Sequence, residues 1–169
     1  MTRKVMMAAA TLLTLAFAVL ASPAVNFSGS WVMDRDRSFG QPAGMQQTMT
    51  VTQSEGKIEV ETKLIQPGNE RTVKDTYVLD GKEYDFSPPS PPNAPAGTAA
   101  PKGKRTANWL PNGSGILVNE TITNETPKGP STTQIMRKWV FTGEGEITIT
   151  NFVDTPQVSY EAKRVFVKK

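Results

Sequence analysis

Apolar and polar residues alternate in short runs along most of this chain, and turn residues separate the runs. Met45–Gln53 puts Met45, Met49 and Val51 on one face and Gln46, Thr48, Thr50 and Thr52 on the other. After Ser54-Glu55-Gly56, the run Lys57–Ile65 sets Ile58, Val60 and Leu64 against Glu59, Glu61 and Lys63. A period of two is the mark of a half-buried β-strand. The same pattern recurs at Asn26–Asp34, Arg71–Leu79, Lys82–Phe86, Lys104–Leu110, Ile116–Asn124, Ser131–Phe141, Glu146–Asp154 and Val158–Val167. Asp80-Gly81 is the strongest hairpin signal, because both central residues of a type I′ turn need positive φ. It predicts that Lys82–Phe86 folds back on Arg71–Leu79.

No stretch past the N-terminal segment keeps an apolar 3.6-residue period for three turns, so the expectation is all-β. Short loops favour pairing between sequence neighbours. The predicted fold is an antiparallel up-and-down meander of about 8–10 strands. A meander of that length leaves two exposed edges unless it closes. A closed lipocalin-like barrel is therefore expected, with an open two-sheet sandwich as the alternative. Residues 87–101 interrupt the pattern with six prolines in 15 residues, which excludes ladder pairing and favours polyproline II. This Pro-rich loop reads as a solvated insertion, as a lid over the barrel mouth, or as a docking peptide for a protein partner.

The N-terminus has a different character. Arg3 and Lys4 precede 16 uncharged, mostly apolar residues, Val5–Leu20, a run short for a bilayer-spanning helix. Ser22 and Ala24 then supply small residues for cleavage after Ala24, with Ala21 as another cut. Residues 1–24 read as a secretory signal peptide, and an uncleaved anchor is the alternative. No Cys follows to accept a lipid. The expected location is secreted or periplasmic, with no membrane span after cleavage and one domain over residues 25–169.

Cleavage would remove two of 19 basic residues and leave 17 against 16 acidic ones, a net charge of +1. That balance, without a basic patch, argues against a nucleic-acid partner. The chain has no Cys and no His. Disulfides, Ser-His-Asp or Cys-His catalysis and imidazole metal ligands are thereby excluded. No cofactor is expected. Acid–base chemistry would fall to Asp, Glu, Lys or Tyr. The pairs Asp34/Asp36 and Glu59/Glu61 sit on wet faces, and Asp34-Arg35-Asp36-Arg37 reads as a solvated loop with local ion pairs.

Phe27, Gly29 and Trp31 alternate along the first strand. Gly there permits a bend or a close approach, and Trp adds a large apolar plate. This F-x-G-x-W resembles the opening of the calycin superfamily, the lipocalins and fatty-acid-binding proteins. The resemblance implies that the G-x-W seals a barrel floor and that a late Arg stacks over the Trp. More closely, the chain resembles a group of exported bacterial lipocalin-like proteins. They share Asn26–Phe39 (NFSGSWVMDRDRSF), Asp75–Glu83 (DTYVLDGKE), Lys104–Trp109 (KRTANW), Arg137–Trp139 and Lys163–Lys169. That likeness spans nearly the whole mature chain and carries no activity with it. The chain departs from lipocalins in lacking disulfides and a C-terminal helix. It departs from fatty-acid-binding proteins in having no helical lid, since Arg35–Gly44 contains Gly40, Pro42 and Gly44.

Alternate residues of a small barrel point inward, so polar residues on apolar faces are the informative ones. Arg137 shares a face with Ile135, Trp139 and Phe141, and Arg164 shares one with Val158, Tyr160 and Phe166. A buried guanidinium needs a partner, and a ligand carboxylate is one. The calycin resemblance implies the same place, through inward Arg and Tyr on late strands. Alternatively, Arg164 covers Trp31, or either Arg pairs with Asp75 or Glu120. Tyr77, Tyr84 and Trp109 line the cavity or fill the core. The expected function is binding of a small apolar ligand, anionic if the arginines meet it. An envelope interaction or structural protein with a filled barrel is the second reading, and an enzyme using carboxylates, Lys or Tyr is the third.

Overall fold

The computed structural model describes residues 24–89, 99–126, 129–143 and 145–169. The expected signal peptide therefore lies outside the described residues except for Ala24, as does the middle of the Pro-rich segment. Ten antiparallel strands make up the described chain: β1 Gly29–Phe39, β2 Gln46–Ser54, β3 Lys57–Gln66, β4 Asn69–Val78, β5 Tyr84–Phe86, β6 Lys102–Trp109, β7 Gly115–Thr126, β8 Gly129–Gly143, β9 Glu146–Asp154 and β10 Ser159–Lys168. No described residue is helical.

One sheet contains all ten strands, in the order β4-β3-β2-β1-β10-β9-β8-β7-β6-β5. The first and last strands pair in register, Trp31 with Lys168 and Met33 with Phe166. The meander thus curls round on itself into a half-barrel, and its edges are β4 and β5. The expected all-β meander is present. The expected complete closure is not, because no ladder joins β4 to β5. Nor does a two-sheet sandwich form.

The break has a local cause. Asp80-Gly81 makes a turn, but not the predicted hairpin onto β4. The Gly81 amide donates to Ala107 O on β6 (3.0 Å), and the Leu79 amide donates to Gly56 O in the β2–β3 turn (2.7 Å). Asp80 Oδ1 accepts from the Lys82 amide (3.0 Å) and fixes the bend locally. The chain is therefore led toward β6. Only three residues of β5 pair, Tyr84 with Arg105 through Phe86 with Gly103.

Asp34-Arg35-Asp36-Arg37 also differs from expectation, since it continues β1 rather than leaving it as a loop. The β1–β10 register shifts between Asp34 and Phe39. Ser38 Oγ fills the irregularity by donating to Asp34 O (2.5 Å) and accepting from the Val165 amide (3.0 Å). The local ion pairs are present: Arg37 meets Asp34 at 2.7 Å and Glu146 at 2.5 Å.

An aromatic cluster fills one end of the half-barrel. The buried Phe27 ring stacks on Trp109 at 6.3 Å and meets Trp139 and Phe141 edge-on at 5.9 and 6.2 Å. Trp31, 1 % exposed, packs edge-on against Phe141 at 6.2 Å, and its Nε1 donates to Phe27 O at 3.0 Å. Offset and edge-on pairs of this kind add to the burial of the rings themselves. The cation over Trp31 is Lys168, with Nζ 5.9 Å from the ring centroid. Arg164, the candidate for that role, turns the other way, to the carbonyls of Phe39 and Gly40. Gly29 has φ +143°, and a Cβ there would lie 3.3 Å from Lys168 Cε, so the Gly of the signature admits the lysine stem.

Candidate functional site

Above the aromatic floor is a cavity of about 460 Å³. That lies within the usual size range for small-molecule sites. Met49, Val60, Leu64, Val73, Ile122, Ile135, Ile149 and Phe166 supply its apolar wall. Pro88, Pro89 and Pro101, at the two described ends of the Pro-rich segment, line it as well.

The polar lining combines Gln47, Thr62, Arg71, Asn124 and Thr133 with a chain of ions. Asp75 Oδ1 on β4 receives Arg105 Nη2 at 2.7 Å. Arg105 also reaches Glu120 Oε1 on β7, from Nε at 2.7 Å and from Nη2 at 2.5 Å. Glu120 Oε2 accepts from Arg137 on β8, at 3.1 Å from Nε and 2.9 Å from Nη2. Arg137 Nη1 then donates to Asn151 Oδ1 on β9 at 3.1 Å. The Glu120 side chain is 1 % exposed, so both its oxygens need these partners. The Arg105 guanidinium lies between two rings, 4.0 Å from the Phe86 centroid and 4.7 Å from that of Tyr77. Burial works against the charge on Arg137, but Glu120, Tyr77 and Asp75 together outweigh it and hold the guanidinium pKa above its ordinary value.

Arg164 stands apart from this network. It donates to Phe39 O (2.7 Å), Lys163 O (3.1 Å), Gly40 O (3.3 Å) and Gln41 Oε1 (3.3 Å). Among the described residues it has no carboxylate partner. Burial, and the charge of Arg137, lower its pKa, although a guanidinium remains protonated throughout. Tyr77 is 3 % exposed, and burial, followed by the nearby Asp75 charge, pushes its phenol pKa well above the ordinary value.

Of the residues singled out in the sequence, the structure brings Arg137, Arg164 and Tyr77 to the cavity wall. Trp109 belongs to the floor, stacked on Phe27. Tyr84 is 42 % exposed and donates to Asp80 Oδ2 at 2.8 Å, outside the cavity. Tyr160 is 50 % exposed and borders a separate depression with Met136 and Phe152. Lining residues outside the candidates read from the sequence include Arg71, Arg105, Trp139 and Asn151. Arg105 carries the same signal as Arg137, a cation in alternation with a buried apolar residue, here Ala107.

No protein-family profile matches the chain, and no curated protein matches it either. Among solved structures, secretory abundant heat soluble protein 4 from Ramazzottius varieornatus is similar at 14 % identity, with a TM-score of 0.48. The match covers 84 % of this chain and 94 % of that one.

Proposed function

We propose that this protein binds a small, elongated apolar molecule with an anionic group, and that Arg164 meets the anion. The observation that carries the reading is the cavity: its wall is mostly apolar, and the half-buried Arg164 on it has no carboxylate partner among the described residues, the other lining guanidinium without one, Arg71, being exposed. An uncompensated charge in a partly enclosed space is a costly arrangement that an anionic ligand relieves. Arg137 is a poorer anion contact, because Glu120 already occupies two of its donors. The charged-then-apolar N-terminal segment supports export, and N-terminal sequencing of the protein recovered from its host tests that part.

Native mass spectrometry of the protein from its host, followed by organic extraction, tests binding directly. A stoichiometric amphipathic acid that is lost in Arg164→Gln is the expected result. A clean apo mass, together with no uptake of laurate on titration, would overturn the proposal in favour of a structural or interaction role.

A further inference from the structure

We propose that the free edge of β4 pairs with the same edge of a second copy of this chain. The result is a two-fold dimer in which the two sheets run on as one.

β4 ends the sheet, and among the described residues no strand pairs with its outer side. Only part of that side is open. Arg105 takes Thr76 O with Nη1 and Asp75 with Nη2, which closes the C-terminal part of the strand. Thr76 O thus points away from β3, and main-chain groups alternate sides along a strand. Glu70, Thr72 and Lys74 therefore also turn their N–H and C=O groups away from β3. All three residues are exposed, and among the described residues nothing bonds those main-chain groups. A row of this kind is a template for another strand.

The side chains select the partner. Arg71, Val73 and Asp75 line the cavity, so Glu70, Thr72 and Lys74 share the outer face. Each of the two charged residues already meets an opposite charge on β3. Glu70 Oε1 lies 2.8 Å from Lys63 Nζ, and Lys74 Nζ lies 2.9 Å from Glu61 Oε2. A two-fold axis at Thr72 sets Thr72 against Thr72 of the second copy and Glu70 against Lys74, twice over. The charges then alternate across the join: Glu61 and Lys74 of one copy, Glu70 and Lys63 of the other. Opposite charges facing each other on a ladder favour pairing, and like charges oppose it. The neighbouring registers lose this match. An axis at Glu70, Arg71 or Lys74 puts that charge against itself. An axis at Val73 needs Asp75 and Thr76, which Arg105 already holds. With the axis at Thr72, three residue pairs exchange about six main-chain hydrogen bonds. A strand of unrelated sequence would meet unmatched Glu and Lys instead, the usual means of blunting an edge.

A small polar interface holds weakly, so sedimentation equilibrium is run from about 1 µM to about 1 mM. A dimer that forms with rising concentration is the expected result. Glu70→Lys and Lys74→Glu each set like charges across the axis and should weaken association about tenfold or more. An equimolar mixture of the two variants restores both opposite pairs, and a mixed dimer should recover most of the lost affinity. Damage to either chain alone gives no such recovery. Thr72→Pro removes the amide at the axis, which points off the sheet, and should leave a folded monomer. Should that variant not fold, the mixing experiment, made on exposed residues, still decides. A monomer at every concentration overturns the proposal, as does a dimer indifferent to the charge variants or a mixture no tighter than either variant alone.

Discussion

Arg105 on β6 and Asp75 on β4 meet at 2.7 Å across the one stretch where the sheet has no ladder. A second Arg105 donor, Nη1, reaches Thr76 O on β4 at 3.2 Å. A side chain thus ties two strands that the backbone leaves apart. The Asp75 side chain is 27 % exposed and that of Glu120 1 %, so the same guanidinium has a wet partner and a dry one.

Removing the shared cation should cost far more than removing the wet anion. Arg105→Ala leaves Glu120 with one partner in place of two, and the expected loss is about 3–5 kcal/mol. Asp75→Ala leaves Arg105 paired with Glu120 and should cost about 1 kcal/mol or less. Urea unfolding at neutral pH measures both, and comparable losses for the two variants would contradict this division of roles.

The aromatic floor depends on its central ring. Phe27 is fully buried and touches Trp109, Trp139 and Phe141 at once. Phe27→Ala should destabilise by about 3–5 kcal/mol, the range for a large core aromatic cut to Ala. A thermal midpoint within a degree or two of wild type would mean the floor repacks around the gap.

Gly115 governs the position of the cavity wall. A Cβ at Gly115 would lie 1.9 Å from Trp139 O, a backbone atom that cannot swing aside. Gly115→Ala should therefore displace β8 at Trp139, lower the thermal midpoint and change the near-UV circular dichroism of the aromatic cluster. A spectrum identical to wild type would show that β7 and β8 are not this close.

Alkaline pH should expose the burial of Tyr77. Its phenol pKa is raised in the folded state, chiefly by burial, from an ordinary value of 10.0. Below pH 10 the phenol is neutral in both states. Above it, the unfolded chain loses the proton and the folded chain keeps it, so stability falls as pH rises. The slope from this group is about 1.4 kcal/mol per pH unit. Tyr77→Phe lacks that term, and urea midpoints between pH 9 and 11 should fall less steeply for the variant. Parallel slopes would refute the assignment.

Most of the strand pattern is legible in the alternation itself. Glu146–Asp154 is the same segment in sequence and structure, and Met45–Gln53 is displaced by one residue from β2. The departures have physical origins. Asp80-Gly81 has hairpin chemistry, but its amides find acceptors on β6 and in the β2–β3 turn, and local propensity says nothing about partners that distant. The candidate site is legible in part, because alternation assigns a face without assigning a depth. Arg137, Arg164 and Tyr160 share inward faces by period two. Only Tyr160 falls at the end of its strand, where the inward face is already in solvent. Whether Arg137 meets a ligand or Glu120 depends on β7 lying beside β8, which pairing shows and sequence spacing does not.

The break between β4 and β5 bears on what holds the girth of the half-barrel. In a fully laddered cylinder, any change of girth ruptures a row of backbone bonds somewhere. Here the wall can breathe at its seam, and the bonds in the way are those of one guanidinium to β4 and one amide at Gly81. The curled sheet is fastened as a collar with a clasp: side-chain and single-amide contacts set its circumference at the seam, and every ladder lies outside that seam.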